Sequence, residues 1–431
     1  MRRAETLEQA FQNLEPSRAL TVEQLQDFYV ERPEVQNLLN EMRLQLELQY
    51  PCKGLLTGHR GAGKSSALTK LGHTLSTRKR RWVVHISILD KLDLNDLSYI
   101  DIVFLMAVEI VQSCVDAHID LDGHDQSLQN WVRQIEVIRQ EERSSSVTAA
   151  AEIRAGMPKL GWLTLPVQAF LSVGAKVGEE ANTRKIVREQ LEPQFSELLG
   201  IIDDLQQAIY KARERRLVCL IDGLDKASIE TAEKLFYKNG FYLSAPGCSV
   251  IYTFPVSLQH NENFNQTKAY FTETFVLPNF KVQYSKFVHK VESAGTEESK
   301  GIAQLCEVIT RRAEHTLFNE KTLKTIALFS GGIARTAIAL SQSSVRKALA
   351  RESESVAIEH VEAAIAEERR SFDRQLSEKQ KKLLTKVQQT EHIDADPEAG
   401  YLDLLHNLSV IEYANGDVWY GVSPIVSALL D

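Results

Sequence analysis

An eight-residue segment near residue 60 combines glycines, a lysine and a serine in a spacing that suits phosphate binding. Its sequence, Gly58-His59-Arg60-Gly61-Ala62-Gly63-Lys64-Ser65, fits the pattern G-x-x-x-x-G-K-[ST] at every position. Glycines let the backbone curl so that its N–H groups converge on phosphate oxygens, and the start of the following helix adds positive partial charge. No role is predicted for His59 and Arg60, which occupy variable positions. The spacing predicts a phosphate-binding loop made of Gly58, Gly61, Ala62, Gly63, Lys64, Ser65 and Ser66.

The chemistry of this loop depends mostly on two side chains. Lys64 would reach the β- and γ-phosphates of a nucleotide, and Ser65 would ligate Mg²⁺. A second acidic residue fits the same site, because Asp222 ends the apolar run Leu217–Ile221 (LVCLI). Ligands of parallel sheets bind at the carboxyl ends of the strands. We therefore predict that Asp222 holds the magnesium ion through water, beside Ser65.

The residues around Asp222 resemble those of a known class. The segment LIDGLDK (220–226) resembles the magnesium-binding strand of STAND P-loop NTPases, including NACHT-type modules, which have an aspartate, a small residue and an acid two positions after it. Ring-forming AAA+ motors instead place a glutamate directly after the aspartate, where this chain has Gly223. The resemblance implies that Asp225 polarises the attacking water. The alternative interpretation is a solvated or helix-capping aspartate.

Three further stretches extend the resemblance. Ser249–Thr253 resembles the fourth strand of these ATPases, which implies that Thr253 senses the γ-phosphate; an ordinary strand threonine is the alternative. Ser330–Arg335 (SGGIAR) resembles the start of the sensor-two helix, which implies that Arg335 faces the phosphates, unless it is a surface arginine. Phe28–Pro33 resembles the adenine-side segment of STAND and origin-recognition ATPases. Together these features imply that the nucleotide is ATP.

One residue type is missing where AAA+ rings usually carry it. The chain has no arginine between Arg216 and Arg311, the region in which such rings place their arginine finger. An arginine finger accelerates hydrolysis by orders of magnitude. We therefore expect slow hydrolysis, or a substitute such as Arg184 or Arg188; the alternative is that these two arginines only solvate a helix face.

The elements that position these residues follow from apolar patterning. Short apolar runs predict strands at 53–57, 82–89, 217–221 and 249–254, with a fifth edge strand at 275–277. The fold class is therefore α/β, with a parallel P-loop NTPase sheet. Four domains are expected: an N-terminal helical segment (1–45), the ATPase core (46–297) with an insertion at about 116–190, a helical lid (298–375) and a winged helix (376–431).

Composition excludes several classes of protein. Hydrophobic residues make up 43% and charged residues 25%, as in a soluble globular protein. The five cysteines lack zinc or disulfide spacing, so buried thiols in a reducing cytoplasm are expected. No uncharged apolar run reaches the roughly 18–20 residues that a membrane helix needs, so no membrane contact is expected.

Nucleic-acid binding is disfavoured at this stage. The net charge is −8, and the recognition helix of the winged-helix domain, residues 397–407, carries no lysine or arginine. We expect this domain to pack on the core or on a partner, with Trp419 and Tyr420 in its hydrophobic seam. The basic clusters 78–81, 213–216 and 379–382 are interpreted as solvated edges.

The functional hypothesis is an ATP-dependent switch of conformation or assembly. The STAND resemblance implies slow hydrolysis, self-association and a separate effector or sensor protein in bacterial signalling or defence. The alternative is a DNA-associated AAA+ adaptor that resembles origin-recognition or transposition regulators. A third reading is a nucleotide-stabilised scaffold that never turns over.

Overall fold

The computed structural model describes residues 3–121, 192–283, 285, 294–394, 400–415 and 417–430, with a few isolated positions between 167 and 189. Most of the predicted insertion, 116–190, therefore lies outside the described residues. Among the described helices, none is both long and apolar enough to cross a bilayer. Of the five free thiols, those of Cys52, Cys114, Cys219 and Cys248 are buried, as expected for structural cysteines.

A five-stranded parallel sheet forms the centre of the molecule. Its strands are β1 (Lys53–Thr57), β2 (Arg81–Ser87), β3 (Arg216–Asp222), β4 (Ser249–Thr253) and β5 (Glu273–Val276), in the order β2-β3-β4-β1-β5. Apolar runs such as that of β3 are buried on both faces, which is what a parallel sheet covered by helices requires. The predicted α/β fold class is confirmed, and each predicted strand lies within two residues of its position.

Helices cover both faces of this sheet. On one face, α3 (Pro33–Leu48) and α4 (Lys64–Thr77) pack in one apolar cluster. On the other face, α5 (Tyr99–Asp116) and α6 (Phe195–Arg213) form a larger one. The remaining short helices near the sheet are α2 (Val22–Phe28), α7 (Ile229–Glu233), α8 (Gly240–Ser244) and α9 (Phe264–Thr267).

A separate bundle follows the sheet, as predicted for the lid. It contains α10 (Ala294–Thr310), α11 (Glu320–Phe329), α12 (Ala334–Leu349) and α13 (Ile358–Gln375). The N-terminal helix α1 (Leu7–Asn13) packs in the same apolar cluster, and the backbone of Ala4 exchanges hydrogen bonds with Arg312 and Glu314. The first residues of the chain thus belong structurally with the lid, whereas α3 belongs with the sheet.

The C-terminal part has the predicted order of helices and then a hairpin. Helices α14 (Glu378–Thr390) and α15 (Tyr401–His406) precede the antiparallel strands β6 (Val410–Asn415) and β7 (Asp417–Val422), and α16 (Pro424–Ser427) ends the described chain. Trp419 stacks on Tyr413 at 4.4 Å between ring centroids, and Tyr420 joins the apolar cluster under α14. Both aromatic residues therefore contribute to packing, as predicted.

Candidate nucleotide site

A cavity of about 410 Å³ lies between the phosphate loop, the carboxyl ends of β2 and β3, the N-terminal segment and the lid. Six lysines and arginines line it against three aspartates, so the lining carries a net positive charge that suits a polyanionic ligand. The cations are Arg18, Arg32, Lys64, Lys226, Arg312 and Arg335, and the anions are Asp90, Asp222 and Asp225.

The phosphate loop joins β1 to α4 through glycines in the left-handed region. Gly61 has φ = 81°, and a Cβ added there would lie 2.5 Å from the Cβ of Arg335, so only glycine permits this approach of the lid. Gly63 has φ = 109° and opens onto space, because an added Cβ would have no atom within 4 Å. The loop therefore presents its backbone to the cavity, which fits a phosphate cradle.

Lys64 begins α4 and is buried against the loop that precedes it. Its ammonium lies 2.8 Å from Oδ2 of Asp225 and donates to the carbonyl oxygens of Gly58, at 2.6 Å, and of His59, at 2.9 Å. Three acceptors thus hold the ammonium at the mouth of the loop. The arrangement brings together two of the predicted site residues, Lys64 and Asp225, in one ion pair.

Asp225 lies in the helical turn Leu224–Lys226 that follows β3, and it is only 3% exposed. Burial alone would raise the pKa of this carboxyl, but the charge and hydrogen bond of Lys64, with Lys226 and Arg60 nearby, bring the pKa below its ordinary value. The carboxylate is thus ionised, and its Oδ1 has no hydrogen-bond partner among the described residues. The solvated-aspartate interpretation is wrong, because the side chain is buried.

Asp222 ends β3 and lines the cavity, as Ser65 does. Asp222 is 6% exposed, and its buried Oδ1 has no hydrogen-bond partner in the part of the chain that the structure describes. An orphaned carboxylate oxygen is costly unless a ligand satisfies it, so the donor set fits a hard cation such as Mg²⁺. Within the described chain, no cluster of three or more His, Cys, Asp or Glu residues forms a metal site. Magnesium would therefore depend on Ser65, Asp222, water and phosphate oxygens together.

Thr253 ends β4 and is fully buried. Its Oγ1 accepts hydrogen bonds from the backbone N–H of Gly223, at 2.9 Å, and of Leu224, at 3.0 Å. Thr253 is not one of the described residues that line the cavity. Its hydroxyl thus binds the turn that carries Asp225, which fits a positioning role, and its expected role as a γ-phosphate sensor stays a prediction.

Replacement of Thr253 tests this positioning role. Thr253→Val keeps the shape of the side chain but leaves two buried N–H groups without an acceptor, so we expect the free energy of unfolding to fall by about 1–3 kcal/mol. The Asp225 turn should also shift, so ATP hydrolysis should slow more than ATP affinity falls. The conservative variant Thr253→Ser should restore both quantities. A fully stable and active Thr253→Val protein would contradict this role.

Arg335 lies in the first turn of α12, where the lid meets the phosphate loop. Its backbone N–H donates to the carbonyl of Gly61 at 3.1 Å, and its Nε donates to the carbonyl of Pro16 at 3.2 Å. Arg335 is among the residues that line the cavity, and the expectation that it faces the phosphates stays a prediction. Arg335 thus links the lid, the N-terminal segment and the phosphate loop.

The N-terminal segment forms another wall of the cavity. Phe28, Tyr29 and Val30 line it, and the guanidinium of Arg312 lies 5.2 Å from the ring centroid of Phe28.

The two arginines considered as substitutes for an arginine finger are ion-paired with aspartates. Arg188 is bound by Asp101 and Asp96, and Arg184 lies 3.5 Å from Asp96. Neither arginine lines the described cavity.

Sequence reasoning missed the two variable residues of the loop. Arg60 donates to the carbonyl oxygens of Asp225, at 3.3 Å, and of Lys226, so it braces the turn that carries the acid. His59 is 1% exposed, and its Nε2 accepts a hydrogen bond of 2.7 Å from the backbone N–H of Glu412 in β6. Burial lowers the pKa of His59 to about 4, which keeps Nε2 free to accept.

Glu412 is held by the sheet domain at three points. Besides the bond to His59, its Oε2 lies 2.6 Å from Nε2 of His260, and its carbonyl accepts from Nδ2 of Asn279 at 2.9 Å. These three core residues follow β1, β4 and β5, respectively. The C-terminal hairpin is thus docked directly on the phosphate loop and its neighbours, and we call this contact the Glu412 latch.

Comparisons with known proteins give similarity of overall structure only. No protein-family model matches the sequence. None of the curated proteins matches it either. Among solved structures, Cdc6p from Pyrobaculum aerophilum is 13% identical, with a TM-score of 0.39 over 97% of this chain and 95% of that one.

Two other solved structures are similar at the same level. The ORC1 protein of Aeropyrum pernix, solved in a complex with DNA, is 14% identical with a TM-score of 0.39 over 93% of this chain and 92% of that one. The RuvB Holliday junction branch migration motor of Thermotoga maritima is 13% identical with a TM-score of 0.37 over 96% of this chain and 98% of that one. Similarity at this level does not identify what this chain does, so its function is argued from its own site.

Proposed function

We propose that this protein binds ATP with Mg²⁺ and hydrolyses it slowly, as a switch whose C-terminal domain is docked on the phosphate loop. The observation that carries the proposal is the position of Lys64. This residue lies in a glycine-rich loop of the correct sequence and is ion-paired with the acid that follows the magnesium strand. Such a pairing of phosphate-binding lysine and candidate catalytic acid suits a site that changes contacts when nucleotide binds.

Each residue of the site has a distinct task in this proposal. The backbone N–H groups of the loop and the Lys64 ammonium would hold the phosphates, and Ser65 and Asp222 would hold the metal ion. Magnesium supplies charge neutralisation for phosphoryl transfer. Asp225 would orient the attacking water and accept its proton at Oδ1, the oxygen that has no partner within the described chain. Arg335 would add positive charge from the lid.

The switch follows from competition for Lys64. Nucleotide phosphates and Asp225 both require the same ammonium, so phosphate binding weakens the Lys64–Asp225 pair. The Asp225 turn is braced by Arg60, and the preceding residue of the loop, His59, holds the Glu412 latch. A change at Lys64 can therefore reach the C-terminal domain through three consecutive contacts. A STAND-type role with self-association and a protein effector would use this movement.

The docked C-terminal domain supports a packing role for its recognition helix. Tyr401, Leu402, Leu404 and Leu405 of α15 are all buried, and α15 packs against the turn Val256–His260. A helix in this position presents few side chains to a DNA groove. This contact favours the protein switch over the alternative of a DNA-reading adaptor.

Steady-state hydrolysis of ATP by the purified chain tests the proposal. We expect turnover below about one per second, which is slower than the median enzyme, because the latch holds the loop and no arginine lies between Arg216 and Arg311. The double variant His260→Ala, Asn279→Ala removes two of the three contacts of the Glu412 latch without altering the phosphate loop. It should raise turnover several-fold and increase amide hydrogen exchange in β6 and β7.

The matched control is His392→Ala, which removes an exposed histidine of the same domain. It should change neither turnover nor exchange. Fast turnover by the wild-type chain alone would contradict the switch. Increased exchange in the latch variant without any change in turnover would show that docking does not restrain the site.

A further inference from the structure

A cluster of basic residues lies at the edge of the sheet opposite the nucleotide cavity. Residues 78–81 (RKRR) run from the end of α4 to the first residue of β2, and residues 211–216 (KARERR) run from the last turn of α6 to the first residue of β3, so the fold brings these two separate segments together. Arg81 and Arg216 are register partners in the parallel ladder. We call these ten residues the basic edge. It lies where the strands begin, whereas the cavity lies where they end.

The charge of the basic edge exceeds what the fold itself needs. The two segments contain eight lysines and arginines and one carboxylate, Glu214, a net charge of +7 in a chain of net charge −8. Three helices, α3, α4 and α6, end at this edge, and each C-terminus contributes about half a negative charge. Glu47 adds one more negative charge, 3.5 Å from Arg80. A strong positive excess therefore remains.

Only some of these cations support the structure. Arg81 donates to the carbonyl oxygens of Leu46 and Glu47, and Arg213 donates to that of Ala117. In contrast, the side chains of Arg78, Lys79 and Lys211 are exposed and form no hydrogen bond or ion pair with the described part of the chain. These three cations are available to a ligand.

Exposed apolar groups adjoin these cations at the same edge of the sheet. Tyr210, directly before Lys211, is 53% exposed, and Leu48, at the end of α3, is 82% exposed. Nearby, the guanidinium of Arg216 lies 4.6 Å from the ring centroid of Tyr50. An exposed aromatic ring among cations provides both a face for stacking and charge for a phosphate backbone.

We propose that the basic edge binds single-stranded nucleic acid, with the phosphodiester backbone on the cations and a base on Tyr210. Six of the eight cations are arginines, whose planar forks match phosphate oxygens in a bidentate manner. Unstacked bases of a single strand can reach Tyr210, whereas those of a duplex are stacked on each other. The site is remote from the ATP cavity, so this proposal does not depend on the proposed function.

Fluorescence anisotropy tests this surface, with the full chain and without added nucleotide. The probe is a labelled oligo(dT) of roughly 20 nucleotides, which is longer than one binding site of this kind. The triple variant Arg78→Gln, Lys79→Asn, Lys211→Gln should bind at least about tenfold more weakly. The slope of log affinity against log salt should fall by roughly 2, because each phosphate contact contributes about 0.7 for a single strand. The control Lys321→Gln, Arg351→Gln, Arg374→Gln makes the same change in net charge at exposed positions elsewhere and should bind as wild type does.

Tyr210→Ala tests the stacking contact separately. It should weaken binding about tenfold with an unchanged salt slope, and Tyr210→Phe should restore binding. Four results would overturn the proposal: no binding by the wild-type chain at low salt, equal loss in the control, equal affinity for duplex DNA with no effect of Tyr210→Ala, or binding to anionic phospholipid vesicles in place of the oligonucleotide.

Discussion

Replacement of Lys64 by alanine is expected to abolish measurable ATP binding and to destabilise the protein. The variant removes the only ammonium within reach of the loop carbonyls of Gly58 and His59 in the described site, and with it the charge-assisted contacts to phosphate. It also leaves Asp225 buried without its partner at 2.8 Å. Breaking one side of a buried ion pair costs about 3–5 kcal/mol, a large part of the 5–15 kcal/mol that stabilises a typical domain.

A double variant separates the two effects. In Lys64→Ala with Asp225→Asn, the neutral amide no longer needs a counter-charge, so the melting temperature should recover most of what Lys64→Ala loses. ATP binding, measured by isothermal titration calorimetry, should remain absent. Wild-type affinity in the double variant would show that Lys64 is not a phosphate ligand. A Lys64→Ala protein as stable as wild type would show that the buried ion pair contributes nothing to stability.

Local patterns were sufficient to predict the sheet and the phosphate loop. The run that became β3 is apolar at every position from Leu217 to Ile221, and such a run in a chain of this type is a strand covered on both faces. The loop was predictable because the glycine and lysine spacing is a property of eight consecutive residues. The rule that ligands bind where parallel strands end led us to expect Ser65 and Asp222 at one site, and both line the same cavity.

Long-range contacts were not predictable in this way. His59 stands at a variable position of the loop pattern, and its partner Glu412 is 353 residues away in sequence. Only the assembled fold reveals that β6 passes over the loop. The basic edge has the same origin, because its two halves are separate charge clusters until β2 and β3 pair.

Thr253 illustrates an intermediate case. The strand and its carboxyl end were predicted correctly, but the contact of the Thr253 hydroxyl with the following turn was not foreseen. Gly223 has φ = 100°, which turns the chain sharply after β3 and leaves the N–H groups of Gly223 and Leu224 outside the sheet ladder. Buried N–H groups need an acceptor, and the Thr253 hydroxyl is the one that these groups find. The backbone N–H groups of Gly223 and Leu224 thus determine which contact the Thr253 side chain makes.

Asp225→Asn is expected to slow ATP hydrolysis by roughly a hundredfold, within the range of general-base catalysis, while ATP still binds. The amide cannot accept a proton from water, but it is close in size to the carboxylate and leaves the loop intact. Because a neutral partner holds Lys64 less strongly, the ammonium becomes more available to phosphate, so ATP affinity should be equal to or greater than that of wild type. Single-turnover hydrolysis and calorimetry measure the two quantities separately.

The pH dependence and a matched control sharpen this last test. Lys64 holds the pKa of Asp225 below its ordinary value, so the carboxylate stays ionised throughout the neutral range. Its contribution to stability is therefore complete above the pKa of an unfolded aspartate, about 4, and is lost only as the pH falls further, through the lower pKa of the folded state. Hydrolysis by wild type should accordingly not decline through titration of this group between about pH 5 and 8.

The matched control is Asp90→Asn, at an exposed carboxylate that also lines the cavity. It makes the same chemical change and should retain nearly full activity. If both variants hydrolyse ATP at the wild-type rate, Asp225 serves only to hold Lys64, and another group must activate the water.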